Sequence, residues 1–166
     1  MPAGKSIRGL LKDPAIWREL GMAEIYLYAA DRAHHLESVI LPALDRGEIV
    51  LCDRFLDSTR AYQGAGRGRC VDVIEALHAL EPLTIRPKRT LLFDVEAHVG
   101  LARARSRGSS DGAGYDDEDL SFFERVREGF LQIAAAEPER VRIIDADASP
   151  ETVAQRTLEA LDDLLI

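Results

Sequence analysis

The chain has 166 residues, 46% of them apolar, which fits one domain with a sizeable core and excludes wholesale disorder. Acidic residues outnumber basic ones by 29 to 21, and the net charge of −8 argues against a nucleic-acid coat or a polybasic membrane binder. Only three of the basic residues are lysines (Lys5, Lys12 and Lys88). Arginine is the better fork for phosphate oxygens, although GC-rich coding accounts for the bias as well. Cys52 and Cys70 form no CxxC pair and no metal-ligand spacing, so a reducing, cytoplasmic compartment is expected. No apolar run approaches the ~18 residues of a membrane span, and MPAGKSIRGL lacks the apolar core of a signal peptide.

In chain order, the first strong periodicity is helical. Over residues 23–45 it puts Ile25, Tyr28, Ala29, Leu36, Val39, Ile40 and Leu44 on one stripe, and Gly47 closes the segment. Ile49–Cys52 then reads as a short buried strand ending in Asp53. Residues 70–80 predict a short helix, and Thr90–Phe93 a second strand ending in Asp94. Helices follow at 97–107 and at 117–136, the latter with Leu120, Phe123, Val126, Phe130 and Ile133 at helical spacing. The stretch 108–117 between them, GSSDGAGYDD, is a polar, glycine-rich loop. Val141–Ile144 is the third strand, ending in Asp145. The last helix begins at Ser149-Pro150, an N-cap with proline behind it, and carries Val153, Leu158, Leu161 and Leu165. Continuous apolar strands alternating with helices predict an α/β domain whose parallel sheet is covered on both faces. In such sheets ligands sit beyond the carboxyl ends of the strands, where Asp53, Asp94 and Asp145 fall.

Two clusters carry the chemistry. Asp53 and Arg54 stand at a strand end, where a carboxylate can hold Mg²⁺ and a guanidinium can clamp a phosphate. Ser58, Thr59, Tyr62 and Gln63 follow at helical spacing, with hydroxyl and amide groups suited to a sugar or base. The competing reading is a surface Asp-Arg pair before a polar helix start. In the second cluster, Tyr28 and Arg32 share a helix face, an aromatic plate beside a donor fork that suits a planar base. An amphipathic helix with a core Tyr and a solvated Arg explains the same pattern. Gly64, Gly66 and Gly68 do not fit GxGxxG.

With these residues in view the chain resembles the bacterial thymidylate kinases. Residues 51–63 (LCDRFLDSTRAYQ) carry the family signature, followed by Gly64-Ala65-Gly66-Arg67-Gly68. Tyr28-Ala-Ala-Asp-Arg32, Ile40-Leu-Pro-Ala-Leu44, Leu92-Phe-Asp-Val95 and Phe123-Glu-Arg-Val-Arg-Glu-Gly-Phe130 lie in the expected order. The resemblance implies a P-loop-kinase-like sheet with flanking helices and phosphoryl transfer from ATP to dTMP. It implies Mg²⁺ and a homodimer, formed through the helix at 23–45. It assigns Arg8 to the dTMP phosphate, Tyr28 to stacking on the base in place of the usual Phe, and Arg32 to hydrogen bonding with the base. Asp53 and Arg54 go to the metal and the monophosphate, with Asp53 the metal ligand. Ser58, Thr59, Tyr62 and Gln63 line the deoxynucleoside site. The loop 105–116 corresponds to the lid over ATP. Gly114 stands where relatives place a lid arginine, leaving Arg105 and Arg107 as candidates for the ATP phosphates and Arg103 as a solvated residue.

The phosphate-cradling GxxxxGK[ST] does not occur. Gly4-Lys5-Ser6 looks like its tail, but Pro2–Arg8 aligns with the family segment after that loop. The expectation is therefore a single thymidylate-kinase-like domain, 1–166, lacking the first strand, the P-loop and the second strand, as from a mis-set start or a fragment. In the family's sheet order the absent strand lies between the Asp53 and Asp94 strands. Two alternatives stand beside this reading: a deoxynucleoside kinase of the same fold, and a non-catalytic dTMP-binding or dimerisation module.

Overall fold

The computed structural model describes residues 2–106, 115 and 118–164. Two strands, β1 (Thr90–Asp94) and β2 (Val141–Asp145), pair in parallel, with Thr90 opposite Val141 and Asp94 opposite Asp145. Nine α-helices are found among the described residues: α1 (Pro2–Lys12), α2 (Pro14–Trp17), α3 (Ala23–His35), α4 (Leu41–Asp45), α5 (Leu56–Thr59), α6 (Val71–Leu77), α7 (Ala97–Ser106), α8 (Leu120–Ala136) and α9 (Pro150–Glu159). The arrangement is the α/β class that the sequence predicts. None of these helices is long and apolar enough to cross a membrane.

Local sequence explains the helix ends. The Asp119 side chain accepts from the Phe122 N–H, and the Ser149 side chain from the Thr152 N–H, so each cap satisfies an otherwise orphaned first-turn donor. Gly47 takes φ +75° after α4, a left-handed turn that favours glycine. The segment expected as one helix over 23–45 is continuous but not uniform. A π-helical stretch, Leu36–Ile40, joins α3 to α4, and a second, Arg60–Gly66, extends α5. Each wide turn rotates the following side chains relative to a regular 3.6-residue repeat. Ile25, Ala29, Leu36 and Ile40 are buried as predicted, whereas Val39 and Leu44 from the same expected stripe are exposed.

The expected strand at Ile49–Cys52 is not present. The chain there is irregular and pairs with no strand among the described residues. Val50 packs onto the cluster of Ala29, Leu36, Ile40 and Leu83. Its neighbours Ile49 and Leu51 are 83% and 91% exposed. A continuous apolar run implies cover on two faces, and this segment has cover on one. Phe93 on β1 and Ile143 on β2 are also half-exposed, so both-sided burial fails for these strands as well.

A second cluster joins Ala61, Tyr115, Phe122 and Val126, with Tyr62, Phe123 and Phe130 around it. Here α8 lies directly on the π-helical segment, and glycine permits the approach. A Cβ on Gly129 would stand 2.6 Å from the Ala65 Cβ, and one on Gly66 would stand 2.7 Å from Phe122 and Val126. Gly129→Val should therefore lower the unfolding free energy by about 2–3 kcal/mol through overpacking, measured by urea denaturation. A stability equal to wild type would show that this contact is loose.

Candidate functional site

Arg54 begins the site with a strained backbone. Its φ of +60° makes it the one non-glycine residue with positive φ among the described residues. A non-glycine side chain held in this region costs energy and is found where the fold needs an unusual direction of projection. The turn sends the guanidinium over the Tyr62 ring, 4.7 Å from its centroid. Asp53 beside it is exposed.

Arg32 approaches the same region from α3. Its Nη2 donates to the Phe55 carbonyl at 3.1 Å and to the Thr59 hydroxyl at 2.9 Å, while Nη1 lies 2.7 Å from His78 Nε2. Burial pulls its pKa down to about 10. A guanidinium held this way is still charged at neutral pH but has little water to compensate it.

Tyr28, one turn before Arg32, shares a 3.2 Å hydrogen bond with the Tyr115 hydroxyl. Gln63 Nε2 donates to Tyr115 at 2.7 Å and to Glu24 Oε1 at 3.0 Å. Glu24 is buried, and desolvation raises its pKa against the opposing pull of Arg67, which lies 3.3 Å away. Arg67 itself is ringed by Trp17, Tyr115 and Phe122, with its guanidinium 4.5, 5.3 and 5.7 Å from their centroids. The Tyr62 and Tyr115 rings are 4.9 Å apart. The result is an aromatic wall carrying two cations and a linked set of amide and hydroxyl groups, suited to a planar, hydrogen-bonding ligand bearing negative charge.

The anchor beneath this wall is Asp57. Its carboxylate receives Arg140 at 2.7 and 2.9 Å and Thr90 at 3.1 Å. Arg60 lies 3.4 Å from Asp57 and also reaches Glu75 at 2.6 Å and Glu137 at 3.0 Å. The site helix is thus tied to the start of β1 and to the residue before β2.

Comparison with known proteins identifies the family. A family model described as thymidylate kinase matches residues 1–157. The chain belongs to the thymidylate kinase family. A thymidylate kinase of Trichlorobacter lovleyi is 46% identical over 164 residues, covering 96% of this chain and 77% of that protein. One from Desulfovibrio desulfuricans is 42% identical over 167 residues, covering 98% and 77%. One from Pseudomonas putida is 46% identical over 160 residues, covering 96% and 76%.

Of the residues singled out by resemblance to thymidylate kinases, Tyr28, Gln63, Tyr62 and Arg54 are linked through the Tyr115 and Tyr62 rings, and Arg32 and Thr59 form a separate pair. Ser58 is half-buried on the same short helix. Arg8 lies on α1, where its Nε donates to Asp31 Oδ2 at 3.0 Å, next to Arg32. Arg105 lies at the exposed end of α7. Arg107 and most of the expected lid, 107–114 and 116, lie outside the described residues. Arg103 is not simply solvated: it donates to the Ala146 carbonyl and pairs with Asp147 at 2.9 Å. The strand-end carboxylates are likewise engaged, Asp94 by Arg127 at 2.7 and 3.0 Å and Asp145 by Arg156 at 2.9 Å.

Glu24, Asp57, Tyr115, Arg67 and His78 received no role from the sequence. Asp57 and Arg67 sit inside the motifs and could have been flagged there. Glu24 and His78 give no periodic signal.

Glu24 yields a pH test. Its raised folded pKa means that the native chain holds this proton more tightly than the unfolded chain, whose value is near 4.5. Its contribution to stability is full below that value and is lost as pH rises through the folded pKa. The unfolding free energy of wild type minus that of Glu24→Gln should therefore shrink as pH increases from about 4.5. A difference that grows with pH in urea titrations would show instead that the pairing with Arg67 dominates.

Proposed function

We propose that this chain binds dTMP at the wall formed by Tyr28, Arg32, Thr59 and Gln63, as the acceptor in phosphoryl transfer from ATP. The observation that carries the reading is that α3 and the segment 54–63 meet in two contact groups one helical turn apart on α3, Tyr28 with Gln63 through Tyr115 and Arg32 with Thr59. Membership of the thymidylate kinase family supplies the reaction. Tyr28 stacks on the thymine, Arg32 offers donors to its edge, and Gln63, whose two amide hydrogens go to Tyr115 and Glu24, offers its amide oxygen. Tyr62 lies under the sugar, and Ser58 lines the same pocket. Arg54, held over Tyr62, and Arg8 take the acceptor phosphate. Fixing the acceptor oxygen and neutralising its charge is the main contribution a protein makes to this chemistry.

The donor set suits Mg²⁺. That ion usually binds one or two protein carboxylates and completes its shell with water and substrate phosphates. Asp53 is exposed beside Arg54, whereas Asp94 and Asp145 are taken up by arginines. Asp53 would therefore hold the ion, which supplies charge neutralisation at the phosphates when bound. Arg105 and Arg107 belong to the lid segment 105–116 and serve the ATP phosphates.

The sheet reads as incomplete beside β1. What supports this is the exposure of Ile49, Leu51 and Phe93, together with the two-stranded sheet among the described residues. No glycine-rich loop leads from a strand into a helix among the described residues. The exposed Tyr26, Val39 and Leu44 on α3 and its continuation supply the apolar surface of a homodimer. The compartment that fits the free, unpaired Cys52 and Cys70 is the cytoplasm.

Calorimetric titration tests the acceptor site. The chain should bind dTMP more tightly than thymidine. Arg54→Ala should weaken dTMP at least tenfold, about 1.4 kcal/mol, and leave thymidine unchanged. Equal affinity for both ligands in wild type would place the phosphate elsewhere and overturn the assignment of Arg54. Release of ADP in the presence of dTMP, ATP and Mg²⁺ reads out the transfer itself.

A further inference from the structure

His78 is buried on the turn that ends α6, outside every motif considered above. Its ring has two short contacts. Nδ1 is 2.7 Å from the Ile74 carbonyl, which can only accept, so Nδ1 carries the proton. Nε2 is 2.7 Å from Arg32 Nη1, which can only donate, so Nε2 accepts. Geometry alone thus assigns a neutral imidazole with hydrogen on Nδ1. The Ile74 carbonyl aims the ring, and the ring aims one arm of the guanidinium. The Phe55 carbonyl and Thr59 hydroxyl hold the other arm.

We propose that His78 is a positioning residue for Arg32, setting the guanidinium that reads the base, and that dTMP affinity depends on His78 remaining neutral. This inference rests on the assignment of Arg32 to the dTMP site.

The charges around the ring support it. Arg32 faces it from α3, and Arg86 follows from the loop after α6, where its Nη2 donates to the His78 carbonyl at 3.2 Å. Glu75 on α6 is the nearby acid, and Arg60 already holds it at 2.6 Å. Burial, followed by these two arginines, lowers the His78 pKa from 6.5 against the pull of the Ile74 carbonyl and Glu75. A second proton would convert an acceptor into a donor facing an arginine. It would turn the contact from a charge-assisted hydrogen bond into a repulsion between two cations. Arg32 would then swing from the direction that the Thr59 and Phe55 contacts define.

The test is dTMP affinity between pH 5 and 8 for the full 166-residue chain, its His78→Gln variant and its His78→Phe variant, with ¹⁵N NMR of the wild-type ring. Glutamine keeps an acceptor where Nε2 lies but does not titrate in this range. Phenylalanine keeps bulk and loses the acceptor. At pH 7.5, His78→Phe should weaken dTMP by about tenfold or more, the scale of a lost hydrogen bond to a charged group, while His78→Gln stays close to wild type. As pH falls through the His78 pKa, which burial holds below 6.5, wild type should lose affinity relative to His78→Gln. The phosphate of dTMP titrates in both proteins, so the difference between the curves isolates His78. NMR should show hydrogen on Nδ1 at pH 7.5. Matching curves for wild type and His78→Gln across the pH at which NMR shows the wild-type ring taking up its second proton, or a neutral ring protonated on Nε2, would overturn the inference while leaving the dTMP site standing. If the phenylalanine variant fails to fold, as judged by circular dichroism, the glutamine curve and the tautomer still decide. A wild-type chain that binds no dTMP at all would overturn the site and this inference together.

Discussion

The structure depends on one buried carboxylate. Asp57 sits on the short helix α5, and Arg140 grips both of its oxygens from the residue before β2. Thr90, the first residue of β1, adds a hydroxyl to Asp57 and also accepts from Arg140. Burying a charge is expensive, and such a pair stabilises only when geometry and further hydrogen bonds offset the loss of water. Here both conditions hold: the pairing is bidentate and the remaining donors are Arg60 and the Thr90 hydroxyl. Removing one partner would leave the other charged and desolvated. The helix bearing Ser58 and Thr59 is therefore fixed to the first residue of β1 and to the residue before β2.

From that anchor the site follows by short steps. Thr59 is two residues beyond Asp57 and receives Arg32. Ala61 lies in the interface with α8, whose Gly129 permits close approach. Tyr62 and Gln63 then face Arg54 and Tyr115. Tyr28, Arg32 and Gln63 are each held by partners distant in the chain, so their orientation is a property of the whole fold. Preorganised donors of this kind cost less to align when ligand arrives.

Much of this was legible in the sequence. The segment 51–63 carries the family signature, and Tyr28 and Arg32 share one helix face; in the structure Arg32 meets that segment directly at Thr59 and Tyr28 meets it through Tyr115. Ser149-Pro150 and Gly47 marked helix ends correctly because capping is local chemistry. The strand at Ile49–Cys52 failed for a physical reason. An apolar run reports the environment a segment is suited to, and a strand exists only where a neighbour completes its hydrogen bonds. The π-helical turns at 36–40 and 60–66 were likewise invisible, since they shift the stripe without changing composition. Glu24, His78 and Tyr115 escaped notice because isolated polar residues have no period. Their partners lie tens of residues away, and only folding brings them together.

The central claim, that the Asp57–Arg140 pair holds the site helix to the sheet, is tested most directly by a double-mutant cycle. Unfolding free energies of wild type, Asp57→Asn, Arg140→Gln and the double variant give the coupling free energy. The account predicts that each single variant loses about 3 kcal/mol or more and that the double variant loses far less than the sum. Strictly additive losses would contradict it, showing that the two residues stabilise the chain independently.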